Sequence, residues 1–325
     1  MQRAWVSVKP RGRGGFAMGL PEARKLGIPL MNLVRFKGLP ILQQLHLEER
    51  LLRTSSDNWC IINDGTDQPT IVMGISGKPA ELLEIKSVLC DHIPVIRRFT
   101  GGGTVIVDPS TIFVTFICNK DAVPGLQPYP RPIMSWSEQI YNKVFQGIGD
   151  FHLRENDYVF GNHKFGGNAQ SITKNRWIHH TSFLWDYEVR SMAYLKLPER
   201  APEYRLHCVK EAKQVSWRRN LCDLSSNIKH ASWVDFTRYS NQYKARDHLE
   251  FICRMKDFMP RSIFVDRSVE ATKTHFLLRS TESENIEAHS GTKFCHSTRL
   301  LTKQELEAAA FAAPSEGALS QPCSL

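Results

Sequence analysis

Three consecutive glycines, Gly101 to Gly103, stand inside the stretch RRFTGGGTVIVD at residues 97 to 108. Glycine loses more backbone freedom on folding than any other residue, so a triplet persists where bare backbone is needed. The runs on either side, PVIRRF and TVIVD, read as strands. Because the glycines lie between two strands, and neither G-x-x-x-x-G-K-[ST] nor G-x-G-x-x-G is present, the pattern argues against a P-loop and a dinucleotide fingerprint. Two readings remain. One is a flexible hairpin tip, although one or two glycines suffice for a tip. The other is a backbone wall on which a ligand lies, with Arg97 and Arg98 offering fixed positive charge to a carboxylate or phosphate.

The rest of the chain supplies the frame. MNLVRF, from Met31, reads as a strand, and LPILQQLHLEERLLR as an amphipathic helix carrying Ile41, Leu42, Leu45, Leu51 and Leu52 near helical spacing. WCIIND and PTIVMGIS, divided by GTDQ, predict a hairpin, and PAELLEIKSVLCDH one helix with Pro79 in its first turn. TIFVTFIC is a buried strand, and SWSEQIYNKVFQGIG a helix capped by Ser135 or Ser137 and closed by glycine. Strands outnumber helices, and many are joined by hairpin-length turns. The expectation is an α+β fold, a mixed or antiparallel sheet with flanking helices on one face. The domain is expected over 31–267, preceded by a flexible basic segment at 1–30 and followed by a polar, loosely ordered tail at 268–325 with a short helix at TKQELEAAAFAA.

Charge and cysteine usage narrow the function. The net charge is +9. Six basic residues against Glu22 in 1–30, and seven against three acids in 206–244, account for all of it. A basic groove across the core is therefore not expected, which argues against a nucleic-acid partner. No apolar run approaches the roughly 18 residues of a membrane span. The eight cysteines form no C-x-x-C pair, which argues against zinc and a disulfide framework and favours a reducing compartment. The Arg- and Gly-containing start, without acid until Glu22, resembles an organelle transit segment, although Met18 offers a second start site.

Two further stretches could carry chemistry. In ENDYVFGNHKFGGNAQS, Asn156 and Asp157 precede a strand, and Lys164 is followed closely by Gly166 and Gly167. A lysine among small residues suits a carbonyl or phosphate oxygen that gains charge in a transition state; the plainer alternative is a solvated hairpin lysine. In WIHHTSF, His179 and His180 adjoin on a strand and must face opposite sides, so they cannot share a metal.

In order and spacing, RRFTGGGTVIVD, ENDYVFGNHKFGGNAQS and WIHHTSFLWDY resemble the lipoate–protein ligase family, relatives of the biotin ligases, over roughly residues 31 to 205. The resemblance implies the biotin/lipoate ligase catalytic fold, which is class II synthetase-like. It implies transfer of a lipoyl or octanoyl group, through an acyl-adenylate, to a specific lysine of apo lipoyl-domain proteins such as 2-oxoacid dehydrogenase subunits and the glycine cleavage carrier protein. Lys164 would be the catalytic residue. Arg97, Arg98, Gly101, Gly102, Gly103, Thr104, Asn156, Asp157, Gly166, Gly167, Asn168, Ala169 and His180 would bind the lipoyl adenylate. The implied cofactors are ATP and Mg2+, with Asp157 beside the magnesium, and the substrate is lipoate or lipoyl-AMP.

The chain departs from the family pattern in places. Val107 stands where a histidine is usual, and His180, Thr181, Ser182 replaces His-Gly-Thr. The stretch after the catalytic motifs is too short and polar to resemble the accessory domain of many ligases, so adenylation is expected to need a partner or a preactivated donor. Joining Arg205 to Ala245 would restore the family's spacing, which marks 206–244 as an atypical insertion. A non-catalytic lipoyl-binding homologue and a biotin–protein ligase are the alternatives. The expected compartment is the mitochondrion, with the cytoplasm as the alternative.

Overall fold

The computed structural model describes residues 27–197, 251–282 and 294–312. The expected insertion at 206–244 and nearly all of the basic segment at 1–30 lie outside them. The chain forms an eight-stranded mixed sheet in the order β11-β1-β2-β6-β10-β9-β8-β7. Its strands are β1 (Leu30–Lys37), β2 (Asn58–Asp64), β6 (Thr111–Asn119), β7 (Phe151–Arg154), β8 (Asp157–Phe160), β9 (His163–Ile172), β10 (Arg176–Leu184) and β11 (Leu277–Ser280). The strands β11, β1 and β2 run parallel, and the remaining pairs are antiparallel. A second sheet holds β3 (Thr70–Met73), β4 (Val95–Arg97), β5 (Val105–Val107) and β12 (Arg299–Leu300) in the order β12-β4-β3-β5.

Every residue of β10 is buried, as expected for a central strand covered on both faces. On one face, α4 (Pro130–Val144) and α5 (Arg261–Thr272) pack Ile133, Trp136, Ile140, Tyr141 and Phe264 onto Cys60, Phe116 and Trp177. On the other, α1 (Ile41–Thr54) packs Leu51 and Leu52 onto Trp59, Ile117 and Ile178, and Ile41 and Leu45 onto Val72, Ile96 and Val107 of the small sheet. The α+β class with flanking helices is as expected, but the helices cover both faces instead of one. The reason lies in β2 and β6, which are apolar at successive positions and so need cover on both sides.

Other expectations change. WCIIND and PTIVMGIS are no hairpin: β2 joins the large sheet, whereas β3 lies between β4 and β5 in the small one. PAELLEIKSVLCDH breaks into α2 (Pro79–Leu82) and α3 (Ile85–Cys90), because Leu83 bridges to Leu195 and the Glu84 N–H donates to the Tyr194 carbonyl at 2.9 Å. Ser135 and Ser137 cap nothing. The helix begins at Pro130, and the Ser137 hydroxyl donates to the Met134 carbonyl and receives the Tyr158 hydroxyl at 2.6 Å. Ser268 falls within α5, and part of the expected loose tail enters both sheets as β11 and β12. The expected short helix there is α6 (Lys303–Phe311), started by a Thr302/Glu305 capping box.

Candidate functional site

The glycine run links β4 to β5, which do not pair with each other because β3 lies between them. It is therefore a crossover loop and not a hairpin tip. It docks on the large sheet, the Gly101 N–H donating to the Gln170 carbonyl of β9 at 3.1 Å. The three glycines have different reasons to be there. Gly102 has φ of +109°, and a Cβ on it would lie 2.8 Å from Arg98 Nη2 and 3.3 Å from Ala169 Cβ. Gly101 and Gly103 meet no such demand: a Cβ on Gly101 would find only the Gln170 carbonyl at 3.8 Å, and one on Gly103 nothing within 4 Å. A fourth glycine was not singled out from sequence. A Cβ on Gly74 would come within 2.2 Å of the Gly102 carbonyl, so its bareness admits the loop. The signal was present, as a glycine breaking a strand pattern marks close backbone approach.

The two arginines play different parts. Arg98 is 4% exposed and folds back under the loop, donating from Nη2 to the Gly101 and Gly103 carbonyls at 3.1 and 2.8 Å and from Nη1 to Val72 at 3.3 Å. Burial lowers its pKa to about 10, against the opposing influence of Glu48, so it stays charged at neutral pH. It fixes the loop from within. Arg97 points the other way and donates to the Ile75 and Gly77 carbonyls at 3.0 and 2.7 Å. Thr104 has a buried hydroxyl with no hydrogen-bond partner among the described residues.

The second motif forms the β8–β9 hairpin, whose core side is aromatic. Phe165 and Phe160 stack at 4.2 Å, and Tyr158 and Phe165 are fully buried. A Cβ on Gly166 would come within 3.0 Å of the Tyr158 ring, so this glycine makes room for an anchor. At Tyr158/Val159 the register shifts, and Lys164 pairs with Val159 while Gly167 pairs with Asp157. Lys164 Nζ then lies 2.7 Å from Asp157 Oδ1, with side chains 28% and 10% exposed. The Lys164 backbone is held by the Phe251 carbonyl and the Cys253 N–H, both at 2.9 Å. Asn168 Nδ2 donates to the exposed Asn156 carbonyl at 3.0 Å, and its Oδ1 receives Thr181 Oγ1 at 2.6 Å. Thus the Lys164 side chain reaches back along the β8–β9 ladder to Asp157, with Asn156, Gly167 and Asn168 beside that pair, and the glycine loop docks at 169 and 170 of β9.

The adjacent histidines face opposite sides, as expected. His179 is fully buried between Gln170, Tyr158 and Thr181, and burial, with neighbouring His180, lowers its pKa to about 3. His180 Nδ1 lies 2.8 Å from Glu48 Oε2, and its Nε2 3.3 Å from Thr100 Oγ1 at the root of the loop. Glu48, fully buried, also receives Gln44 at 2.8 Å and Thr115 at 2.7 Å, and Asn63 donates to Gln44 at 2.8 Å. This polar chain from α1 to the loop was not foreseen. Its trace in the sequence is an acid within the apolar stripe Ile41, Leu45, Leu52, where burial requires partners. Val107, where a histidine is usual, is fully buried in the Ile41 and Leu45 cluster.

Among the described residues, no three His, Cys, Asp or Glu side chains converge as a metal site. Magnesium typically needs only one or two protein carboxylates when substrate phosphates and water complete its shell; Asp157, the one carboxylate among the predicted site residues, has its Oδ1 paired with Lys164. A cavity of about 490 Å³ lined by Trp185, Lys256 and Arg261 touches the third motif only at Trp185 and includes none of the predicted site residues.

Fold and site together define an α+β ligand-binding domain in which a bare loop and a lysine-bearing hairpin meet on one strand. The chain belongs to the lipoyl protein ligase A/B catalytic domain family, whose sequence pattern matches residues 40–235. It is 28% identical over 187 residues to a Plasmodium falciparum protein named inactive lipoate–protein ligase 2, covering 47% of this chain and 48% of that one. It is 29% identical over 122 residues to lipoate-protein ligase LplJ of Bacillus subtilis, covering 37% and 35%. The chain thus spans about half the length of the first relative and about a third of the second. Among solved structures it is similar to the bipartite lipoate protein ligase of Thermoplasma acidophilum, with TM-score 0.58 and 14% identity over 81% of this chain and 91% of that one. A lipoate-protein ligase A bound with ATP gives TM-score 0.56 and 13% identity over 81% and 92%. These likenesses show the fold.

Proposed function

We propose that this protein transfers a lipoyl or octanoyl group from its adenylate to one lysine of an apo lipoyl-domain protein. The observation that carries the reading is the Lys164–Asp157 pair at 2.7 Å on the strand where the glycine loop docks. Gly101 and Gly103 support it, because nothing among the described residues requires them to be bare. A thin acyl chain ending in a mixed anhydride with AMP suits such a wall.

The acceptor amine attacks the acyl carbon, an amide bond forms, the acyl–phosphate bond breaks, and the amine's proton leaves to solvent as AMP departs. Adenylation has already made the carbonyl electrophilic, so the protein's work is positioning and charge stabilisation. Asp157 orients the Lys164 ammonium by taking one of its three donors, which leaves two for the carbonyl and phosphate oxygens. Arg98 holds the loop carbonyls inward, and Asn168 fixes the Asn156 backbone beside the nucleotide. Magnesium, held by Asp157 and the phosphates, would neutralise charge while ATP is bound.

Whether the donor is free lipoate with ATP or the preformed adenylate is decided by two parallel incubations of the full chain with an apo lipoyl domain, one with ATP, Mg2+ and lipoate and one with lipoyl-AMP. Mass gain with both defines a ligase, and gain with lipoyl-AMP alone a transferase. A second reading, a non-catalytic homologue, has its support in the relative that carries the name inactive; it predicts adenylate binding without mass gain. The acceptors are proposed to be 2-oxoacid dehydrogenase subunits and the glycine cleavage carrier protein, and the compartment the mitochondrion. Fusing residues 1–30 to a fluorescent protein and imaging it tests the compartment; diffuse cytoplasmic signal would contradict it.

A further inference from the structure

The segment Phe294–Ala312 reaches back to the root of the glycine loop. Its strand β12 pairs Arg299 and Leu300 with Arg97 and Ile96, the residues that lead into the loop. Leu301 and Leu306 then pack with Leu83, Ile85, Val88 and Val95, which seats helix α6 against α2 and α3 beside the small sheet. Ahead of the strand, Thr298 is 2% exposed. Its hydroxyl oxygen accepts the Phe99 N–H at 3.1 Å, and its carbonyl lies 3.0 Å from His46 Nε2.

A buried carboxylate anchors this contact. Glu49 is 1% exposed and accepts the Ser297 N–H at 3.1 Å, the Thr298 N–H at 3.1 Å and the Ser297 hydroxyl. Arg53 lies 3.3 Å from it on the outer side. Glu48 and Glu49 are consecutive on α1, and each secures one residue of the loop root by a different route. Glu48 acts through His180 on Thr100. Glu49 acts through Thr298 on Phe99. With Arg98 holding Gly101 and Gly103, the loop is fixed from its first residue to its third glycine.

We propose that Glu49 and Thr298 are positioning residues of the acyl-adenylate site, and that the segment Phe294–Ala312 is a working part of that site. It presets the glycine loop in the conformation that receives the adenylate. The ligand named here rests on the function proposed above, whereas the effect on the loop does not.

The test uses the full chain with Thr298→Val, which keeps the shape and removes the acceptor, Thr298→Ser, which keeps the acceptor, and Glu49→Gln. Backbone hydrogen exchange at 99–104 is followed without ligand, and lipoyl-AMP affinity by titration. Leaving a buried N–H without its partner should raise the dissociation constant by about tenfold in Thr298→Val. Exchange across 99–104 should quicken by a similar factor while the strands of the large sheet exchange as in the wild type. Thr298→Ser should restore both. If Thr298→Val matches the wild type in loop exchange and affinity, the proposal is overturned. If Thr298→Val does not fold, Glu49→Gln decides by the same two readouts. A wild-type protein that ignores lipoyl-AMP refutes the ligand, and loop exchange in the free protein still decides the positioning role.

Discussion

Single residues separate what the fold demands from what a ligand would demand. Gly102→Ala forces a side chain onto φ of +109° and against Arg98, and should cost about 1–3 kcal/mol of stability. Gly103→Ala meets open space and should stay within about 0.5 kcal/mol of the wild type. If the loop is a wall for the adenylate, Gly103→Ala nevertheless weakens lipoyl-AMP binding. Thermal melts paired with titrations check both, and a Gly103→Ala protein with wild-type affinity would contradict the wall. The sequence showed that bare backbone was needed here, but not which glycine served which need. That depends on Arg98 and Ala169, which approach only in the folded chain.

At the scale of elements, helix α1 links the core to the loop. Its leucines were legible as an amphipathic face, but Gln44, Glu48 and Glu49 are buried with them. Periodicity reports apolar residues and is blind to polar ones that find partners inside. Glu48→Gln keeps the shape but places a donor against His180 or Thr115, and should cost about 1–3 kcal/mol while loosening the loop root. A melting temperature and loop exchange equal to the wild type would contradict the network's role. The split of WCIIND and PTIVMGIS between two sheets was hidden for a related reason. Strand patterns show that a segment pairs, and not with which neighbour. The two-residue strand β12 was too short to leave any pattern.

For the whole molecule, the buried His179 sets a pH dependence. Burial lowers its folded pKa to about 3, while the unfolded chain titrates near the ordinary value of about 6.5. Between these values the unfolded state binds the extra proton. His179 therefore contributes no penalty above pH about 6.5, and stability falls as pH drops through the window toward 3, by up to about 1.4 kcal/mol per pH unit. Glu49 acts in the same direction. Burial works to raise its pKa, but the hydrogen bonds from Ser297 and Thr298 prevail and hold it below the usual range. Urea unfolding at pH 7 and pH 5 checks this: the midpoint should drop at pH 5, and His179→Gln should flatten the change. An unchanged midpoint would contradict the neutral, buried histidine.

The three motifs were legible at this scale because each is a short run whose chemistry is local, and their order along the chain carried the family. Their convergence on β9 is a tertiary fact. The central claim is that Lys164 stabilises the departing phosphate while the bare loop holds the acyl adenylate. Single-turnover transfer from lipoyl-AMP to an apo lipoyl domain, comparing the wild type with Lys164→Ala, tests it most directly. The account predicts a loss of roughly a hundredfold or more in the transfer rate. Transfer by Lys164→Ala at the wild-type rate would contradict it.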